Sequence, residues 1–198
     1  ATQEDTVIPC SLFMRPPGRS PKKKKETDMT TAIYPGSYDP ITYGHLNITF
    51  RAASLFDKVI LALAINSSKK CLFSLDERME LMKHGVAHYS REKNLNDSNI
   101  EIAQFDGLLA NFVTKYEKPV IIRGLRAVTD FESEYQMALM NRYQNYQVDT
   151  VFLIASLRYS FLSSSIVKEI ARHNGDYKKL VPPGVYDRLW EKFNNQTK

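Results

Sequence analysis

A serine and a histidine lie in a glycine-containing segment that follows a short apolar run. The segment covers residues 34–45 and reads Tyr-Pro-Gly-Ser-Tyr-Asp-Pro-Ile-Thr-Tyr-Gly-His. Gly36 permits a tight turn and Ser37 offers a hydroxyl, while Gly44 and His45 stand where a helical pattern begins. A helix N-terminus favours a bound phosphate because it presents free N–H groups and the positive end of the helix dipole. We therefore expect His45 to donate a hydrogen bond to a phosphate oxygen.

Cationic side chains follow two further apolar runs. Lys69 and Lys70 come after one run, and Arg123 and Arg126 end the next but one, on either side of a Gly-Leu pair. Ammonium and guanidinium groups bind phosphate, and a guanidinium does so in a bidentate manner. Serines 163–165 follow a fifth run; such a cluster usually caps a helix, but it can also present donors to phosphates. These residue types together predict a site for phosphorylated ligands.

The chain from residue 30 onward alternates apolar runs with helical patterns. Runs without polar alternation, separated by helices, predict a parallel sheet covered on both faces. Right-handed crossovers then give a single α/β domain with a Rossmann-like, doubly wound, five-stranded sheet. Ligands bind such sheets beyond the carboxyl ends of the strands, so the loops above should meet at one edge. The predicted strands are 30–34, 58–65, 100–104, 119–122 and 150–155, and the predicted helices are 46–56, 74–88, 108–116, 130–143, 163–173 and 185–193.

Composition limits the class of protein. The 198 residues suffice for one domain with a core, and no apolar run is long enough to cross a membrane. Two cysteines do not make a disulfide framework, which favours a reducing cytoplasm. The net charge of +5 is weak evidence for a nucleic-acid surface, so neither a membrane nor a nucleic acid is expected as a partner.

Residues 1–29 differ from the rest of the chain. They contain prolines, a run of four lysines and no sustained periodicity. We interpret them as a disordered basic extension, or as an artefact of cloning or of start-site choice. Residues 30–198 would then form the single folded domain.

Several familiar motifs do not occur. The loop at residues 34–45 is neither G-x-G-x-x-G nor a P-loop, and no G-x-S-x-G elbow exists. His84 and His88 lack the glutamate of a zinc-protease helix, because Gly85 stands there. Met137 and Met140, on the predicted helix 130–143, are interpreted as packing residues.

Five segments in order along the chain resemble the bacterial phosphopantetheine adenylyltransferases. They read P-G-S-Y-D-P (35–40), T-Y-G-H (42–45), I-R-G-L-R-A (122–127), D-F-E (130–132) and S-S-S (163–165). T-x-G-H alone belongs to a wide nucleotidyltransferase superfamily that more often has H-x-G-H, whereas the combination is specific to this family. The departures are mild: Ser37 replaces Thr, Tyr38 replaces Phe, Tyr43 replaces Asn and Leu162 replaces Ile.

The resemblance implies that residues 30–198 form a nucleotidyltransferase domain, which catalyses the penultimate step of coenzyme A synthesis. In that reaction ATP and 4′-phosphopantetheine give dephospho-coenzyme A and pyrophosphate. It also implies a Mg²⁺ cofactor, a homohexamer and feedback inhibition by coenzyme A. No residue of the chain is singled out as a metal ligand.

The resemblance also implies a role for individual residues. The expected catalytic residues are His45, Lys69 and Arg123, of which Lys69 and Arg123 would clamp the attacking phosphate. The expected acceptor contacts are Ser37, Lys69, Leu109 and Arg123. The expected ATP contacts are Ser37, Tyr38, His45, Gly124, Leu125, Arg126, Glu134, Tyr159, Ser160, Phe161, Leu162, Ser163, Ser164 and Ser165.

Three other functions remain open at this point. One is a different nucleotidyltransferase of the same superfamily, which makes NAD or activates glycerol phosphate with CTP, although the R-G-L-R-A loop argues against it. A non-catalytic nucleotide-binding module would be expected to lack the histidine or the cationic clamp. A nucleic-acid binder would show steeply salt-dependent binding that requires residues 1–29.

Overall fold

Strands and helices alternate along the part of the chain that the computed structural model describes, residues 29–65 and 70–194. Residues 1–28, most of the predicted extension, lie outside it. The strands are β1 (Thr31–Gly36), β2 (Lys58–Ile65), β3 (Ile100–Asp106), β4 (Pro119–Leu125) and β5 (Asp149–Ile154). The helices are α1 (Tyr43–Leu55), α2 (Leu75–Lys93), α3 (Leu109–Phe112), α4 (Val128–Gln144), α5 (Ser164–Arg172) and α6 (Pro183–Asn194).

The five strands form one parallel sheet in the order β3-β2-β1-β4-β5. The chain leaves β1 toward β2 and β3, then returns to the other side of β1 as β4. The strand order therefore reverses between β1 and β4, which is where open α/β sheets bind ligands. The predicted α/β, five-stranded parallel sheet is confirmed.

Both faces of the sheet carry a core. Alternate residues of β1 point to opposite faces, so Ala32 and Tyr34 pack in the larger cluster and Ile33 in the smaller one. The larger cluster includes Met82 of α2 and Leu189 of α6, and the smaller includes Phe112 of α3. Fully burying an aliphatic side chain stabilises the fold by about 1.5–3 kcal/mol, so these contacts fix the strands that carry the site loops.

Helix α4 differs from the other long helices, because none of its described side chains is buried. Phe131, Tyr135 and Leu139 are exposed, and Met137 and Met140 are each 55% exposed. The interpretation of these two methionines as packing residues is therefore wrong for the single chain. Helical periodicity shows which residues share a face, but it does not show what covers that face.

Three predicted helices differ from the observed ones by more than two residues or in type. Helix α1 begins at Tyr43, three residues before the predicted start, because Thr42 caps it. The predicted helix 108–116 is one α-turn followed by a 3-10 turn, Val113–Lys115. Helix α2 opens on the predicted capping box of Ser74 and Glu77, but it continues to Lys93. None of the described helices is long and apolar enough to cross a membrane.

Candidate active site

The loop from β1 to α1 is folded tightly against the sheet. Tyr38 has a left-handed backbone (φ 43°), and its buried hydroxyl donates to the carbonyl oxygen of Tyr34 at 2.6 Å. The Tyr38 ring then lies so close to residue 36 that a Cβ there would be 3.1 Å from it, so any larger residue would require the buried ring to shift. The same ring meets the imidazole of His45 edge-on, with the centroids 5.2 Å apart. The loop thus packs the buried Tyr38 ring against the imidazole of His45.

Hydrogen bonds from Thr42 decide which nitrogen of His45 carries the proton. The backbone N–H of Thr42 donates to Nδ1 of His45 at 3.1 Å, and the Oγ1 of Thr42 lies 3.0 Å from the same nitrogen. A backbone N–H only donates, so Nδ1 must be the unprotonated nitrogen and Nε2 must carry the hydrogen. His45 takes the place that Glu or Gln normally has in a capping box.

The surroundings of His45 keep its imidazole neutral. Burial is the main cause, and the positive charges of Arg126 and Arg123 add to it; together they lower the pKa of His45 to about 4. At neutral pH the ring is therefore uncharged, with its Nε2–H available as a hydrogen-bond donor. A group with this pKa is a poor general acid at pH 7, because almost none of it carries the second proton.

Arg123, on β4, is held by an acidic residue of α4. Its Nη2 donates to Oε1 of Glu134 at 2.5 Å, and its Nε donates to the other carboxylate oxygen. The remaining nitrogen, Nη1, donates to the carbonyl oxygen of Pro35 at 3.0 Å. The guanidinium plane is thereby fixed between β1 and α4 in the bidentate geometry that also suits a phosphate.

Arg126, just beyond β4, is held in a similar way. Its Nε and Nη2 donate to the two carboxylate oxygens of Asp130 at 3.0 and 3.1 Å, and its Nη1 donates to the carbonyl oxygen of Leu162 at 3.2 Å. This contact lowers the pKa of Asp130. Asp130 is the first residue of the D-F-E motif, and its spacing of four residues from an arginine is the sequence signal for the pair.

The start of α5 also reaches the β1–α1 loop. Ser163 caps the helix by accepting from the N–H of Ile166 at 3.1 Å, and the hydroxyl of Ser164 donates to the carbonyl oxygen of Pro40 at 2.7 Å. Nearby, the buried ring of Tyr159 stacks on Tyr43, with the centroids 6.4 Å apart. Ser163 and Ser164, the serine turn at the start of α5, are therefore anchored to the loop that leads to His45.

Two adjacent cavities open at this edge of the sheet. The first, of about 260 Å³, contains the side of the site with His45 and Arg126. The second, of about 910 Å³, is lined largely by apolar residues such as Leu108, Leu109 and Met137. Both cavities are lined by residues 35–37, Arg123 and Glu134. A polar and an apolar compartment thus meet at Arg123.

Most of the predicted site residues line these cavities. The first is lined by Ser37, Tyr38, His45, Arg123, Gly124, Arg126, Glu134, Tyr159, Leu162, Ser163 and Ser164. Of the predicted acceptor contacts, Ser37, Leu109 and Arg123 line the second. Four predicted ATP contacts line neither cavity: Leu125, Ser160, Phe161 and Ser165. Lys69 lies outside the described residues.

Sequence reasoning did not single out two residues that shape the first cavity. Tyr34 lines it, and burial raises the pKa of its hydroxyl to about 12. Thr42 lines it as well and holds His45. The N-cap preference for threonine could have marked Thr42 as a helix start, although the histidine three residues later is not a usual member of a capping box.

The described residues of the two cavities offer no ready-made site for a metal ion. Among residues 29–65 and 70–194, no cluster of three or more His, Cys, Asp or Glu side chains could hold one. Glu134, the acidic residue that lines both cavities, is engaged by Arg123. This donor set is cationic and does not fit a resident magnesium ion, which prefers carboxylate and other oxygen ligands.

Comparisons with known proteins define the class first. The sequence profile of the cytidylyltransferase-like family matches residues 33–170. The fold resembles that of a nicotinic acid mononucleotide adenylyltransferase from Plasmodium falciparum, with a TM-score of 0.62, 14% identity and coverage of 86% of this chain and 98% of that one. At that identity the likeness shows the fold alone. The chain is a nucleotidyltransferase of the cytidylyltransferase-like class.

Curated relatives define the family within that class. A phosphopantetheine adenylyltransferase from Clostridium perfringens is 48% identical over 167 residues, which cover 84% of this chain and 97% of the relative. Those from Heliobacterium modesticaldum and Caldanaerobacter subterraneus are 48% and 49% identical; the matches cover 84% and 83% of this chain and 95% and 98% of the relatives. The chain belongs to the phosphopantetheine adenylyltransferase family.

Proposed function

We propose that this chain transfers the AMP part of ATP to 4′-phosphopantetheine, giving dephospho-coenzyme A and pyrophosphate in coenzyme A biosynthesis. The observation that carries the proposal is the pair of cavities that meet at Arg123. One is polar and suits a nucleotide, and the other is apolar and suits a long acceptor arm. A reaction that joins two phosphorylated substrates needs such a meeting point.

The protein need not supply a nucleophile. A phosphate oxygen of the acceptor attacks the α-phosphorus of ATP, a new P–O bond forms, and the bond from the α-phosphorus to the bridging oxygen of pyrophosphate breaks. The protein holds two anions together and offsets the charge on the reacting phosphate. In this scheme the neutral His45 donates its Nε2–H to an oxygen of the α-phosphate, and no proton transfer is required of it.

Arg123 would bind the phosphate of the acceptor. Glu134 and the carbonyl oxygen of Pro35 use three of the five N–H groups of its guanidinium, so one N–H on each Nη remains to donate to phosphate oxygens. Leu109 and its apolar neighbours in the second cavity would contact the pantetheine arm. Coenzyme A carries the same arm and an adenosine, so it would compete for both cavities and act as a feedback inhibitor.

Magnesium would arrive with the nucleotide. The described residues of the two cavities do not form a carboxylate cage, and Mg²⁺ usually keeps several waters and binds substrate phosphates. We therefore propose Mg·ATP as the substrate. The cytoplasm is the proposed location, in keeping with the free thiol of Cys71.

We infer from the exposed helix α4 that copies of the chain form a homo-oligomer. The family resemblance implies that this oligomer is a hexamer. The described side chains of α4 leave a continuous apolar stripe, with Phe131, Tyr135 and Leu139 all exposed in the single chain. Exposed apolar patches of this kind mark interaction surfaces. Copies of the same chain packed on α4 would cover the stripe next to Glu134 and so complete the wall of both cavities.

Pyrophosphate release tests the proposed reaction. Wild-type protein with Mg·ATP should release pyrophosphate when 4′-phosphopantetheine is present, and not with nicotinic acid mononucleotide or glycerol 3-phosphate. We expect His45→Ala to lower kcat by about 10²–10³-fold, the magnitude typical of one lost transition-state donor. The matched control is His173, an exposed histidine at the C-terminal end of α5 that pairs with Glu169. His173→Ala should keep the wild-type rate. Release with another acceptor, or an unchanged kcat for His45→Ala, would refute the proposal.

A further inference from the structure

The carboxylate of Asp39 is buried and fully hydrogen-bonded, yet it lines neither cavity. It is 2% exposed. Its oxygens accept from the N–H groups of Leu72 and Phe73 at 3.0–3.1 Å and from Nζ of Lys168 at 2.6 Å. Burial alone would raise the pKa of Asp39, but these partners outweigh it and hold that pKa below its usual value. A buried charge that binds no substrate is retained for another reason, because burying an ion pair seldom adds net stability.

Asp39 and its three partners lie in three separate segments around the candidate site. Asp39 itself lies in the β1–α1 loop, between Tyr38 and the segment that ends in His45. Leu72 and Phe73 follow Cys71, which lines the apolar cavity. Lys168 is on α5, one turn after the serine turn that lines the polar cavity.

We propose that Asp39 and Lys168 are positioning residues. Their ion pair fixes the position of one wall of each substrate subsite. Through Lys168, Asp39 holds the start of α5, and through two backbone N–H groups it holds the segment that walls the acceptor cavity. A second contact, from the hydroxyl of Ser164 to the carbonyl oxygen of Pro40, also ties the start of α5 to this loop. This inference rests on the proposed function for the identity of the two ligands.

The arrangement is asymmetric, and the asymmetry gives a test. Removing the Lys168 charge breaks only the link to α5, because Asp39 keeps its bonds to Leu72 and Phe73. Removing the Asp39 charge weakens both links at once. Lys168 should therefore affect the nucleotide alone, whereas Asp39 should affect both ligands. A residue that only stabilised the fold would show no such division.

Binding of each ligand alone, measured by titration calorimetry, tests the division without any turnover. For Lys168→Met we expect the Kd for Mg·ATP to rise about tenfold, or 1.4 kcal/mol, and the Kd for the acceptor, phosphopantetheine, to stay within about twofold of wild type. For Asp39→Asn both Kd values should rise about fivefold or more. Lys168→Arg keeps a cation and should restore the Kd for Mg·ATP to within about threefold of wild type.

The control is a lysine ion pair between two helices, α2 and α6, that line neither cavity. Lys192 of α6 pairs with Glu77 of α2 at 2.9 Å, and Lys192→Met should lower the unfolding temperature without changing either Kd. The proposal is overturned if Lys168→Met behaves like this control, or if it weakens both ligands equally. Because Lys168 is partly exposed, its variants decide the question even if Asp39→Asn does not fold. Wild-type protein that binds both ligands but releases no pyrophosphate would refute the proposed function and leave this proposal standing.

Discussion

The low pKa of His45 makes the stability of the protein depend on pH in a way that one substitution should remove. The ordinary pKa of histidine is 6.5 and that of His45 in the folded protein is about 4. Between these values the unfolded chain binds a proton at this residue that the folded chain does not. Stability from this source is therefore complete above pH 6.5 and is lost as the pH falls toward 4.

The size of the effect follows from the two pKa values. Lowering the pH from 7 to 5 should cost the folded protein about 2 kcal/mol through His45 alone. His45→Gln removes the titrating group but keeps the helix start, since glutamine is a usual member of a capping box and can accept from the N–H of Thr42. Every other ionisable group is shared by the two proteins, so its contribution cancels in the difference.

The assay is urea denaturation of wild type and His45→Gln at pH 7 and pH 5. We expect wild type to lose about 2 kcal/mol more than the variant over this interval. Equal losses in the two proteins would show that His45 titrates normally and that its ring is not held neutral. The same pKa predicts that kcat of the wild-type enzyme has no limb near pH 6.5, because the Nε2–H donor is present throughout.

Two further outcomes follow from the contacts of the site. Arg123→Ala should raise the KM for the phosphopantetheine acceptor far more than the KM for ATP in steady-state assays, since Arg123 lies where the apolar cavity begins; a change confined to the KM for ATP would contradict that assignment. Leu139→Glu places a charge on the exposed stripe of α4 and should reduce the mass of the assembly in sedimentation experiments; an unchanged mass would mean that another surface joins the copies.

The order of strands and helices could be predicted from sequence because it depends on local patterns. Apolar runs such as residues 58–65 lack polar alternation, and Ser74 with Glu77 marks a helix start through contacts three residues apart. The start of α1 at Tyr43 was missed because its capping contact does not follow a usual local pattern. Histidine is not a usual capping residue, so its contact with Thr42 is visible only in three dimensions.

The arrangement of charges in the site depends on contacts between distant parts of the chain. Sequence could show that Arg123 and Glu134 are present, but their pairing requires β4 and α4 to pack together. In the same way, the bond from Lys168 to Asp39 joins residues 129 positions apart. Neither contact has a local pattern, because the loops meet only once the sheet has formed.

The sequence by itself therefore determined the parallel α/β sheet, the edge at which ligands bind and the residue types available there. It did so because strand and helix periodicity, caps and loop composition are properties of neighbouring residues. Only the tertiary structure decided that His45 is a neutral Nε2–H donor, that two cavities meet at Arg123, and that α4 is left exposed. Burial, electrostatic environment and the shape of a cavity are properties of residues brought together from across the chain, so no local pattern encodes them.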